Sequence, residues 1–157
     1  MVRREGTTLW DGLREVQHIV GNSPVVGHHV MFDLAFTRRQ RVFQVNLPID
    51  TFELANLLVP WAGEYSLTGL AKELGIEFNT TRRALKDTLT AKQLYLKVFE
   101  RVSNLPNDVL EEITAHARRS GWVLDDFWQS VLEELARGVF TTTVAALKKV
   151  AGLSRTT

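Results

Sequence analysis

Only two short stretches of this chain read as β-strands, and a helical stretch separates them. The first is the apolar run at 24–28, which includes Val25, Val26 and Gly27. The second is 47–50, Leu47 to Asp50. Between them, 31–39 reads as a short helix with a basic end at Arg38, Arg39 and Arg41. Strand, helix and strand in that order make a crossover unit with a parallel strand pair. Such a pair is marginal by itself, so whatever lies along its edges matters to the whole fold.

Helical periodicity accounts for nearly everything else. Leu9, Leu13, Val16 and Val20 recur at helical spacing, and Gly21-Asn22 closes that segment. Asp50 has the place of an N-cap, with Glu53 positioned for a capping box and Leu54, Leu57 and Leu58 facing inward. Ser66 caps a helix that Gly75 ends, and Asn79-Thr80-Thr81 caps a long helix over 82–103. Leu105-Pro106 breaks the chain. Three helical patterns follow, at 107–119, 123–138 and 143–152. The second carries Leu124, Phe127, Trp128, Val131, Leu132 and Leu135 on one stripe. The reading is a body over 1–104 and a helical extension over 105–157.

Composition narrows the function classes. At 157 residues, 45% hydrophobic and 24% charged, the chain is long and apolar enough to bury a core. A net charge of +1 argues against a broadly basic nucleic-acid coat but allows a local basic groove. With no cysteine, disulfides, thiol nucleophiles and cysteine zinc sites are excluded. No run of about 18 apolar residues and no signal-peptide pattern occurs, so the expectation is a cytoplasmic protein with no membrane partner.

Two aspartates stand out against this background. Asp33 falls just past the carboxyl end of the first strand, where open α/β sheets place their ligands. Helical spacing sets Asp87 between Ala84 and Ala91, on a strip of small residues rather than the solvated face. Two carboxylates so placed suggest a metal site. A helix N-cap for Asp33 and an arginine pair for Asp87 are the structural alternatives. His29 lies four residues before Asp33 and could share a helical face with it. Arg82 and Arg83 at a helix start oppose the macrodipole unless an anion offsets them, which points to a phosphate contact. The four tryptophans could stack bases, but their apolar neighbours favour packing for most of them.

The order of these motifs resembles the DEDDh family of 3′-to-5′ exonucleases, which includes the epsilon subunit of DNA polymerase III and the nuclease module of DinG-type helicases. The resemblance covers about 9–104. It rests on VVGHHVMFD at 25–33 for the second exonuclease motif and PIDTFELANLLVP at 48–60 for the strand and helix after it. YSLTGLAKELGI at 65–76 follows, and RRALKDTLTAKQLY at 82–95 matches the third motif. SGWVLDDFWQSVLEEL at 120–135 looks like the stretch after the nuclease module in some DinG-type proteins.

That resemblance implies a ribonuclease H-like fold and hydrolysis of nucleic-acid 3′ ends with two divalent cations, Mg²⁺ or Mn²⁺, held by hard oxygen ligands. It assigns Asp33 and Asp87 as catalytic metal ligands. His29, Arg82 and Arg83 become the nucleic-acid contacts, and single-stranded DNA or a nucleic-acid 3′ end the substrate. The departures are specific. The family's Asp-x-Glu first motif is absent before Asp33, and Asp11 and Glu15 sit at helical spacing instead. Arg82 occupies the position of the catalytic histidine and His29 that of the usual asparagine. Arginine cannot act as a base near neutrality. Two divalent cations bring four positive charges against two carboxylates, so the expectation is at most one weakly held ion and little or no nuclease activity in this chain alone.

The expected fold is therefore a truncated ribonuclease H-like exonuclease domain, with a short parallel strand pair, no N-terminal antiparallel strands and a helical C-terminal extension. Three arrangements satisfy the bare sheet edge: a start placed short of the true one, a polymerase, helicase or second copy completing the sheet, or a degenerate domain with the edge covered by helices. Correspondingly, the chain reads either as part of an exonuclease or as a non-catalytic module gripping nucleic acid or a protein of a polymerase or helicase assembly.

Overall fold

The computed structural model describes residues 8–77 and 83–136. Its elements run α1 (Leu9–Val20), β1 (Val25–Gly27), α2 (Val30–Arg39), β2 (Pro48–Asp50), α3 (Thr51–Leu58), α4 (Leu67–Glu73), α5 (Arg83–Val102), α6 (Asn107–Ser120) and α7 (Asp125–Ala136). The patterns at 79–81 and 143–152 lie outside the described residues. Each expected strand is one or two residues shorter than read, and α2 opens one residue earlier, at Val30.

β1 and β2 pair in parallel, Val25 opposite Pro48 and Gly27 opposite Asp50, and form the one sheet among the described residues. The Val25 amide donates to the Leu47 carbonyl at 2.8 Å. In a parallel ladder this aims the backbone groups of Val26 and of Pro48 away from the partner strand. Pro48 has no N–H to offer, so it fits at the first position of an outer strand.

The core lies in two parts. A small cluster of Val30, Leu34, Val42 and Phe43 is backed by Leu13, Val20 and Val25. The larger one runs from Ile49 through Leu54, Leu70, Leu94 and Val98 to Trp128 and Val131. It crosses the break at Pro106, so α6 and α7 pack on the same apolar mass as α3, α4 and α5. The stripe read on α7 is real and inward: Leu124, Phe127, Trp128 and Val131 are all buried.

One inward assignment fails. Leu57 is 41% exposed, because α3 is only eight residues long and Leu54, Ala55 and Leu58 already fill its buried face. Leu9 and Val16 are exposed as well; only Leu13 and Val20 of the α1 stripe touch the small cluster. Trp10 and Trp61 are also more than half exposed, whereas Trp122 and Trp128 pack together. Among the described residues, no helix is long and apolar enough to cross a membrane.

Candidate functional site at the carboxyl edge of the sheet

The turn from β1 into α2 is built around Asp50. This carboxylate is 4% exposed at the end of β2 and caps α3, accepting the Phe52 amide at 2.9 Å. The same oxygen accepts the His29 amide, also at 2.9 Å. His29 is in the left-handed region at φ 58°, a conformation that costs a residue with a Cβ roughly 1–2 kcal/mol. Asp50 thus ties the left-handed turn to the adjacent strand end. It is structural, as its sequence position indicated. The second half of the capping box is not formed, since Glu53 instead accepts the Trp122 indole N–H and links α3 to the turn between α6 and α7.

His28 is also built in. Its Nε2 lies 2.9 Å from the Tyr65 carbonyl and its Nδ1 3.1 Å from the Thr51 hydroxyl. A carbonyl can only accept, so Nε2 carries a proton and Nδ1 of the neutral ring faces the hydroxyl. Burial lowers the His28 pKa below its ordinary value, with the Tyr65 carbonyl opposing that shift. The His29 ring is exposed and lies on Phe52 with centroids 4.2 Å apart. As the N-cap of α2, outside the helix, it does not share a helical face with Asp33; the left-handed turn removes that spacing.

Asp33 sits in the first turn of α2, exposed, where the macrodipole favours a carboxylate. It is not the N-cap. Asp87 lies near the start of α5 and is exposed, as is Ala84. This corrects the reading that placed Asp87 off the solvated face. The buried stripe of α5 begins one turn later, at Thr90, and continues through Leu94, Val98 and Val102.

Helix direction sets where Asp87 lies. α3 follows β2 directly and returns along the sheet, so Trp61 beyond its end lies toward the amino edge of the strands. The Arg101 guanidinium is 4.6 Å from the centre of the Trp61 ring. Tyr95 and Phe99 share a cleft with Pro24, Leu47 and Pro48 at that same edge. α5 therefore runs opposite to the strands, and its amino-terminal turns, with Asp87, point to the carboxyl edge that Asp33 also occupies. Arg82 and the Arg83 side chain lie outside the described residues.

The donor set does not fit a two-metal centre. Among the described residues no three of His, Asp and Glu converge in a way that could hold a metal ion. Asp33 and Asp87 are two exposed carboxylates, and one oxygen of the buried Asp50 carboxylate accepts two backbone amides.

Comparison with known proteins bears on this edge. The chain is 34% identical over 98 residues to the DNA polymerase III subunit epsilon of Aquifex aeolicus, covering 59% of this chain and 48% of that protein. It is 34% identical over 93 residues to the 3′-5′ exonuclease DinG of Staphylococcus saprophyticus, covering 56% of this chain and 10% of that one. The DinG exonuclease of Staphylococcus aureus matches at 25% over 126 residues, 77% of this chain and 14% of the relative. Over somewhat more than half its length the chain is thus similar to proteins named as a polymerase III epsilon subunit and as DinG 3′-5′ exonucleases. It spans about half the length of the epsilon relative and about a tenth of the DinG relatives. No family model matches, and no solved structure matches.

Sequence reasoning missed the polar ties that brace the segments around this sheet. Asn46, 1% exposed, donates to the Gly21 and Ser23 carbonyls and holds the loop into β2 against the end of α1. Arg38, read as part of a solvated basic turn, donates to the Phe43 and Asn46 carbonyls. A lone Asn or Arg carries no sequence signal that its partners are carbonyls more distant along the chain.

Proposed function

We propose that this chain is the part of a 3′-to-5′ exonuclease domain that holds the second and third motifs, and that it grips nucleic-acid 3′ ends with little or no hydrolysis of its own. The observation that carries this reading is the shared edge. Asp33 stands in the first turn of α2 and Asp87 just past the first turn of α5, both toward the carboxyl edge of the sheet, in a segment similar to two named exonuclease types. The proposed contacts are His29, Arg82 and Arg83, with single-stranded DNA as the ligand. Any magnesium or manganese taken up by Asp33 and Asp87 is a single ion, held weakly and still largely hydrated.

The second reading is a non-catalytic module within a polymerase or helicase assembly, or a homodimer that completes the sheet. Arg82 in the place of the family histidine favours it, since a guanidinium binds phosphate and cannot accept a proton.

The test uses the full chain. Anisotropy with a fluorescent single-stranded oligonucleotide is measured in magnesium and in EDTA, and the same oligonucleotide is followed for 3′ shortening on a gel. Binding that falls with salt, little affected by EDTA and without shortening, is the expected result. Metal-dependent shortening that Asp33→Ala abolishes would overturn the inactivity, and absence of binding would overturn the nucleic-acid reading.

A further inference from the structure

At the opposite, amino edge of the sheet lies an open cleft of about 320 Å³ between β2, α5 and α7. Its floor is apolar, with Leu47, Ile49, Phe99, Phe127 and Val131 among the lining residues. One wall is different. Asp126, Ser130 and Glu134 recur every four residues and form a polar ridge along α7. Neither acid has an ion-pair partner among the described residues. An apolar trough with one acidic wall fits an amphipathic segment that carries cations on one side.

We infer that the occupant is the chain's own segment 143–152. Residues 137–157 lie outside the described residues, and their sequence supplies what the trough lacks. Arg137, Lys148, Lys149 and Arg155 are their charged side chains, with no acidic residue among them. Val144, Leu147 and Ala151 recur at steps of three and four, the spacing of one helical face. Six residues, 137–142, separate the end of α7 from this segment, within the usual two to eight for antiparallel helix neighbours. Ten helical residues span about 15 Å, close to the roughly 12 Å between Asp126 and Glu134 along α7. Folding back about that connection sets Lys148 and Lys149 opposite Ser130 and Val131, between the two acids. The tail then covers Phe127 and Val131 with aliphatic side chains and closes the amino edge of the sheet.

Because the chain has no cysteine, disulfide trapping reads this directly. In the full chain, Ser130→Cys with Lys149→Cys is compared with Arg14→Cys and Lys149→Cys, the latter pairing the tail with exposed α1. Under a mild oxidant the first pair is expected to close intramolecularly roughly tenfold faster or more, as proximity raises effective concentration. Adding Asp126→Lys and Glu134→Lys is expected to slow closure severalfold. Equal rates for the two pairs would overturn the inference. So would a product made only of cross-linked dimers, which would assign the trough to a second copy. Closure unchanged by the charge reversals would refute the acidic wall as the recognition element.

Discussion

Replacing Asp50 by alanine is the sharpest test of how the carboxyl edge is built. The substitution removes the α3 cap, a loss of about 1 kcal/mol for caps of this kind. It also leaves the His29 amide without its acceptor, costing about 1–3 kcal/mol if the donor stays desolvated. Part of that second cost is relieved if the left-handed turn relaxes. The sum is a destabilisation of about 2–4 kcal/mol. At a urea dependence of roughly 2 kcal/mol per M, the midpoint falls by about 1–2 M. Asp50→Asn keeps an acceptor oxygen in place and should lose less than half as much. Exposed Asp33→Ala and Asp87→Ala should each stay within about 0.5 kcal/mol, as surface changes do. Urea titrations by circular dichroism compare all four. A loss below about 0.5 kcal/mol for Asp50→Ala, or an equal loss for the asparagine variant, would refute the clamp.

Further outcomes follow from the same structure. Burial depresses the His28 pKa, so the unfolded chain takes up this proton before the folded one does. Stability should be full above pH 6.5 and decline as the pH falls from there toward the folded value; His28→Gln should show a smaller loss between pH 8 and 5.5 in urea titrations. Tyr95, pushed up to about 12 by burial, should ionise late in an ultraviolet titration. Its contribution is complete below pH 10 and disappears as the pH rises toward 12, and Tyr95→Phe should remove the late step; a wild-type chain with no step above about 11 would contradict the burial. Trp128, fully buried against Phe127 and Trp122, should cost about 3–5 kcal/mol on replacement by alanine, seen as a lowered Tm.

The crossover unit and the long helices were legible because each has a local cause. Thr8, Asp50 and Ser66 cap their helices through side-chain oxygens, and Gly21, Gly75 and Gly121 adopt positive φ at or just after helix ends. The stripe on α7 was legible for the same reason, since helical spacing alone puts Leu124, Phe127, Trp128 and Val131 on one side. What periodicity cannot state is how much surface is available to cover a stripe. The α1 pattern is as regular as that of α7, yet it meets only the four-residue cluster around Val30 and Phe43, so Leu9, Val16 and Ile19 remain exposed.

The site was legible to a different depth. Asp33 could be placed at the strand exit because a parallel crossover fixes where the helix after β1 must begin. Asp87 was assigned to the wrong surface because its neighbours Ala84 and Ala91 are small, and small residues fit both a crowded interface and an open helix end. The direction of α5 resolves this. Its buried stripe begins only at Thr90, so the turn before it projects past the sheet and is necessarily wet. An exposed carboxylate there bears little of the desolvation cost that a buried acid such as Asp50 must offset. Asp50, buried and holding two backbone amides on one oxygen, thus shapes the edge, while Asp33 and Asp87 stand exposed near the starts of their helices.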